Sequence, residues 1–200
     1  IASILDQDAE AICRRVIVID DASTDSSRDL VNQFIDRHAD ENTLVLEGER
    51  RGEAAALNAG LEQAKGEYIA LVESDVTLDK GWLRCCLAAL EEDGVAGAGG
   101  YLEGRPGDPW IARLAAIEVE VKLAEQPLYA VHITSANALY RAWAFEKVGP
   151  FREELYNATL DSDFNVRLVE AGYRLRFVRE ARATHAYKGS LRGYLERYFW

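Results

Sequence analysis

Val16-Ile-Val-Ile-Asp-Asp-Ala-Ser-Thr-Asp25 is the stretch that decides the fold. Its four consecutive β-branched residues, Val16 to Ile19, suit a strand covered on both faces, as in a parallel sheet. The run stops at Asp20-Asp21, and the polar stretch Ala22 to Ser27 offers several side chains able to cap a helix. Leu30, Val31, Phe34 and Ile35 then fall on one helical face, so the reading is strand, acidic turn, helix.

The same unit recurs downstream. Thr43 to Leu46 reads as a short strand, and Glu53 to Lys65 as an Ala- and Leu-rich helix closed by Gly66. Tyr68 to Val72 is a third strand, ending in Glu73-Ser74-Asp75, and a helix is predicted from Leu78 to Glu92. Alternation of this kind predicts an α/β fold, Rossmann-like, with a mostly parallel twisted sheet flanked by helices and ligands beyond the carboxyl ends of the strands. Further on the pattern predicts a short strand into Gly97 to Gly100, a loop with Pro106 and Pro109, and a helix around Trp110 to Ala124. A segment from Ala130 to Tyr140, a helix from Asp161 to Ala171 and a strand from Arg174 to Val178 follow. With no internal repeat or low-complexity linker, residues 1–200 read as a single domain.

Composition narrows the function classes. Two hundred residues that are 48% hydrophobic support one well-buried core. Thirty-four acidic against 23 basic residues give a formal charge of -11, which repels a polyanion and argues against nucleic acid as a partner. A phosphorylated ligand remains compatible, because carboxylates can hold a divalent cation that in turn holds phosphates. Cys13 and the pair Cys85-Cys86 make neither a disulfide framework nor a C-x-x-C spacing, which points to a reducing, cytoplasmic setting. No apolar run reaches the roughly 18 residues of a membrane span, so membrane association is expected only through segments outside this chain. The absence of Met and the aromatic end Tyr198-Phe-Trp200 suggest a piece of a longer protein.

Three acidic clusters carry the chemistry. Residues two apart on an extended segment point the same way, so Glu73 and Asp75 can face one ion. Such a pair suits Mg2+ or Mn2+ sharing its shell with diphosphate oxygens, although a solvated turn has the same composition. Asp20 and Asp21 end a second buried strand, where a carboxylate can accept from a base N–H or ribose hydroxyls. Asp161-Ser-Asp163 opens a helix, where it either complements the dipole or supplies a general base for an acceptor hydroxyl.

Taken in order, these stretches resemble family 2 glycosyltransferases of the GT-A fold. The resemblance rests on Val16 to Asp25, Arg51-Gly to Ala56-Leu-Asn-Ala-Gly60 and Lys65 to Asp75 in a nucleotide-binding half. Thr134 to Arg141, Val148-Gly-Pro-Phe151, Leu160-Asp-Ser-Asp163 and Arg167 to Arg174 carry it in an acceptor half. It implies two halves, 1–101 and 102–200, of an inverting enzyme that moves a sugar from a nucleotide diphosphate-sugar, most commonly UDP-linked, to a hydroxyl of a glycan, lipid or peptide. It further implies Asp161 as the base, Asp20 and Asp21 at the nucleotide, and Arg51, Asn58 and Ser74 as further donor contacts. Asp75 and Glu73 would then be metal ligands, with His185 close enough to join them.

Two departures stand out against that family. Leu160 replaces the Glu of its usual Glu-Asp pair, and its first strand would precede Ile1. The partial match Tyr194-x-x-Arg197-Tyr198 to a Q-x-x-R-W motif argues against a processive polymerase. Two other readings compete: an inactive nucleotide-sugar-binding relative, and a phosphoacceptor receiver module built on Asp20, Asp21 and Asp75.

Overall fold

The computed structural model describes residues 1–8, 14–38, 42–155 and 159–199, so Cys13 and Trp200 lie outside the described residues, as do the side chains of Arg197 and Tyr198. Its first half contains α1 (Ala2–Leu5), β1 (Val16–Asp20), α2 (Ser27–His38), β2 (Thr43–Glu47), α3 (Glu53–Gln63), β3 (Tyr68–Val72), β4 (Val76–Leu78) and α4 (Trp82–Leu90). There follow β5 (Val95–Gly104), α5 (Trp110–Ala124), β6 (Tyr129–Ala130), β7 (Asn137–Arg141), α6 (Ala142–Val148), α7 (Leu160–Glu170), β8 (Arg174–His185) and α8 (Leu191–Phe199). Among the described residues no helix is long and apolar enough to cross a membrane.

The α/β class is observed, and the Val16–Ile19 run forms the expected strand. It pairs in parallel with β2, from Val16 opposite Thr43 to Asp20 opposite Glu47, as a two-stranded sheet of its own. The larger sheet runs β3-β7-β5-β8-β4 with β6 on β8, and it is mixed rather than mostly parallel. β7 enters between β3 and β5 antiparallel to both, and β4 and β6 run antiparallel to β8; only β5 and β8 are parallel there. Strand-helix alternation predicts parallel neighbours only where each helix crosses over between adjacent strands, and β7 arrives from far along the chain.

Two boundaries also differ from expectation. Leu78 lies in β4, opposite Ala183, and the helix begins only at Trp82. Asp79 N–H still donates to the Arg182 carbonyl at 3.0 Å, so the chain remains tied to β8 until the Trp82 amide closes on the Asp79 carbonyl at 3.0 Å. β8 continues past Val178 to His185 because β5 runs beside it as far as Gly104. The register between them shifts after Gly100, where a Cβ would run into the Ala181 carbonyl.

The larger sheet is covered by apolar groups on both faces, and β7 shows the alternation. Leu139 packs with Trp82, Leu90 and Val95, whereas Ala138 and Tyr140 pack with Phe151, Phe164 and Leu175. Phe164 is fully buried and its ring lies 4.4 Å from Phe145, 5.1 Å from Phe151 and 5.2 Å from Tyr140. This aromatic cluster anchors α7, and with it Asp161, against the sheet. Phe164→Ala should lower unfolding free energy by about 3–5 kcal/mol in urea titration; a loss below about 1 kcal/mol would mean that the cluster is not what holds α7.

Candidate active site

The site begins where β3 ends. The chain turns tightly from Glu73, closed by the Val76 N–H to Glu73 carbonyl bond at 3.1 Å, and re-enters the sheet as β4. Val76 sits opposite His185, the last residue of β8, and the Ala186 N–H donates to the Asp75 carbonyl at 3.0 Å. Backbone pairing therefore fixes His185 beside the acidic turn. Its Nε2 lies 3.2 Å from Asp75 Oδ1 and 3.7 Å from Glu73 Oε2.

Burial works against charge on the His185 ring, but the hydrogen bonds and charges of Asp75 and Glu73 outweigh it and push the group up to about 9. In turn the His185 hydrogen bond holds the Asp75 carboxyl below its usual range, against a smaller opposing effect of burial. A protonated His185 ring thus sits against both carboxylates. Donor atoms of Glu73, Asp75 and His185 all lie within 4.8 Å of one another. Two carboxylates and an imidazole suit a divalent ion that also takes phosphate oxygens, so the residues present fit Mg2+ or, with its greater taste for nitrogen, Mn2+.

Asp161 lies in the first turn of α7 and is 8% exposed. Its Oδ1 accepts from the Ser162 amide at 2.7 Å and its Oδ2 from the Ser135 amide at 3.2 Å, which fixes the carboxylate plane. Asp163 points elsewhere, paired with Arg152 at 2.9 Å and Arg167 at 2.8 Å. Arg167 in turn donates to the carbonyls of Gly149 and Pro150, so this second carboxylate braces a loop. Leu160 is core, 2% exposed, among Phe151, Phe164 and Leu168.

Glu73, Asp75, Asp161 and His185 line one cavity of about 920 Å³, at the upper end of the range for small-molecule sites. Glu53 and His132 line it as well. Desolvation, then the charges of Glu73 and Asp161, raise the Glu53 carboxyl above its ordinary range. Neither residue was among the candidates drawn from the sequence. Glu53 is simply the first residue of α3, and the partners of His132 lie about thirty positions away.

The other candidate residues are not among those lining the cavity. Asp20 accepts from the Ser23 amide at 3.0 Å, and the Ser23 side chain first, then that amide, hold its carboxyl below the ordinary range. Asp21 receives the amides of Arg50 at 2.7 Å and Gly52 at 3.3 Å, and so holds the loop that leads into α3. Arg51 pairs with Glu153 at 2.5 Å. Asn58 clamps Phe151, donating to its carbonyl at 2.9 Å and accepting from its amide at 3.0 Å. Ser74 is exposed between the two acidic residues of the turn. Asp20, Asp21, Arg51 and Asn58 are thus engaged in holding loops, and their side chains are already partnered.

Comparison with known proteins agrees with this architecture. The pre-mycofactocin glycosyltransferase of Mycobacterium tuberculosis is 30% identical over 190 residues, covering 92% of this chain and 40% of that protein. The glycosyltransferase AglE of Haloferax volcanii is 27% identical, covering 85% of this chain and 56% of the relative, so the chain spans about half the length of these proteins. Among solved structures, the Pyrobaculum calidifontis mannosyltransferase PcManGT, in complex with GDP-Man and Mn2+, superposes with a TM-score of 0.75 at 25% identity. The match covers 96% of this chain and 53% of that one. S. aureus TarS in complex with UDP shares the fold at 22% identity and a TM-score of 0.67, over 92% of this chain and 54% of its own. The model of glycosyl transferase family 2 matches residues 1–149, three quarters of the sequence, and the chain belongs to that family.

Proposed function

We propose that the chain is the catalytic core of an inverting, metal-dependent glycosyltransferase that moves a sugar from a nucleotide diphosphate-sugar to an acceptor hydroxyl. The observation that carries this reading is one cavity lined by Asp161 and, with it, the cation-ready cluster of Glu73, Asp75 and His185. A base and a leaving-group site facing a shared space are what a single displacement requires.

In the proposed step Asp161 takes the proton of the acceptor hydroxyl. The oxygen's electron pair forms the bond to the anomeric carbon, and the bond to the diphosphate oxygen breaks with its pair on the leaving group. Asp75, Glu73 and His185 would hold a Mg2+ or Mn2+ ion, which would supply positive charge for that diphosphate. The backbone amides of Ser162 and Ser135 keep Asp161 oriented for the attack on the opposite face. On the nucleotide side, Asp21 shapes the donor wall through Arg50 and Gly52, with Asp20, Arg51 and Asn58 supporting the adjoining loops and Ser74 exposed beside the ligands. UDP-sugars are the first donors to test, followed by GDP-sugars. The acceptor is proposed to be a hydroxyl of a glycan, lipid or peptide.

An inactive relative draws on Leu160, which packs in the core and borders the cavity, but the base candidate beside it keeps its amide donors. A receiver module would bring Asp20 and Asp21 together with Asp75. Those groups have separate partners instead, Ser23, Arg50 and Gly52 on one side and His185 on the other.

Three outcomes are expected. Asp161→Asn should lower kcat by about 10²–10⁴-fold, the usual contribution of a general base, while leaving donor affinity intact; unchanged turnover would remove Asp161 from the mechanism. UDP or GDP should raise the melting temperature only together with Mn2+, by an amount set by a stabilisation of about 2.7 kcal/mol at a hundredfold excess over Kd. Absence of any metal-dependent shift would contradict the donor assignment. The third follows from linkage: the folded pKa of His185, about 9, exceeds its ordinary 6.5. Its contribution is therefore fully present below pH 6.5 and lost as pH rises through about 9. With chelator present, the stability advantage over His185→Gln should narrow across that window, and a difference independent of pH would contradict the pairing.

A further inference from the structure

His132 precedes β7 in the loop that also supplies the Ser135 amide to Asp161, and its side chain is 42% exposed. A chain of buried polar groups fixes its ring. Tyr140, fully buried and held protonated by burial and by the charge of Asp161, donates its hydroxyl to Asn165 Oδ1 at 2.8 Å. That bond leaves the Asn165 amide nitrogen as donor. It gives one proton to the Ile133 carbonyl at 2.6 Å and lies 3.3 Å from His132 Nδ1. Ser162 Oγ is also 3.3 Å from Nδ1.

An amide NH2 has no acceptor to offer, so His132 Nδ1 must be the acceptor of this pair. A neutral ring then carries its proton on Nε2. Nε2 lies 3.9 Å from Asp161 Oδ2, too far for a direct hydrogen bond. An oxygen about 2.8 Å from each atom closes the gap with an angle of about 90° at that oxygen. A hydroxyl there donates to the carboxylate and accepts from the ring, the two roles that the two groups leave open. The Gln126 side chain donates to the His132 carbonyl at 3.1 Å and holds the loop from its other side.

We propose that His132 is the acceptor-binding partner of Asp161, its Nε2–H and the Asp161 Oδ2 together clamping the attacking hydroxyl oxygen. The inference rests on the reading of Asp161 as base. It assigns to a residue outside the metal cluster the task of holding the nucleophile in line, and it gives the fully buried Asn165 and Tyr140 a functional reason for their polarity. Asp161 removes the proton from the clamped oxygen, and His132 keeps its own.

The test uses water and glycerol as acceptor probes, with UDP-glucose and GDP-mannose as donors and Mn2+ present. His132→Ala should slow sugar transfer to both probes about tenfold, the worth of one hydrogen bond, without changing donor affinity. His132→Gln, whose side-chain amide can present an N–H at a similar reach, should recover most of the rate. Retention of the wild-type rate in His132→Ala, or a parallel loss of donor affinity, would overturn the inference, as would a Gln variant no better than Ala. Asp161→Asn separates the two claims. If that variant still transfers sugar, the reading of the site fails. If it does not, and His132→Ala transfers normally, only the role of His132 fails.

Discussion

The antiparallel pairing of β4 with β8 is the constraint on which the site depends. Three residue pairs, Val76 to Leu78 against His185 to Ala183, carry an acidic turn to the far end of the longest strand. Without that pairing, Glu73 and Asp75 are an ordinary solvated turn. With it, an imidazole is delivered against both carboxylates, and the resulting cluster is charged, partly buried and sized for an ion. The same strand, through its parallel pairing with β5, ties this cluster to the core that seats α7 and Asp161. The acidic cluster and Asp161 are thus both tied to one sheet rather than to two independent loops, which limits how far they can drift apart.

Polar groups at the site follow a division of labour. Carboxylates that reach the cavity, Glu53, Glu73, Asp75 and Asp161, share its wall with His132 and His185 and with Lys122 and Lys188. Carboxylates just outside it, Asp21 and Asp163, are saturated by amides or guanidinium groups and act as braces. Four acidic groups around one space repel one another, and the Glu53 carboxyl is raised first by burial and then by the charges of Glu73 and Asp161. A bound cation would relieve that repulsion, and His185, raised to about 9, offsets it.

Much of the fold was legible because its signal is local. The β-branched Val16–Ile19 run, the Ala-rich α3 and the amphipathic α4 and α7 each carry their own period. The sheet's mixed character was not legible, because the place of β7 between β3 and β5 is set by long-range pairing. β4 was absorbed into a helix since three residues, Val-Thr-Leu, give no period to read. At the site, Asp75, Glu73 and Asp161 stood out as acidic residues at element ends. Arg51 and Asn58 were visible in their motif, yet their side chains serve Glu153 and Phe151. His132 had no sequence signal at all: its meaning lies in Asn165, Ser162 and Asp161, which fold back onto it from α7.

The central claim is a single displacement with Asp161 on the face opposite the leaving diphosphate. The configuration of the first-formed product reports on it most directly. Proton NMR, recorded as the chain transfers sugar from an α-linked nucleotide donor to water or glycerol, distinguishes the two anomers before mutarotation mixes the free sugar. The account predicts that the β-anomer appears first. An α-anomer formed first would contradict it, because retention requires a different placement of nucleophile and base from the one described here.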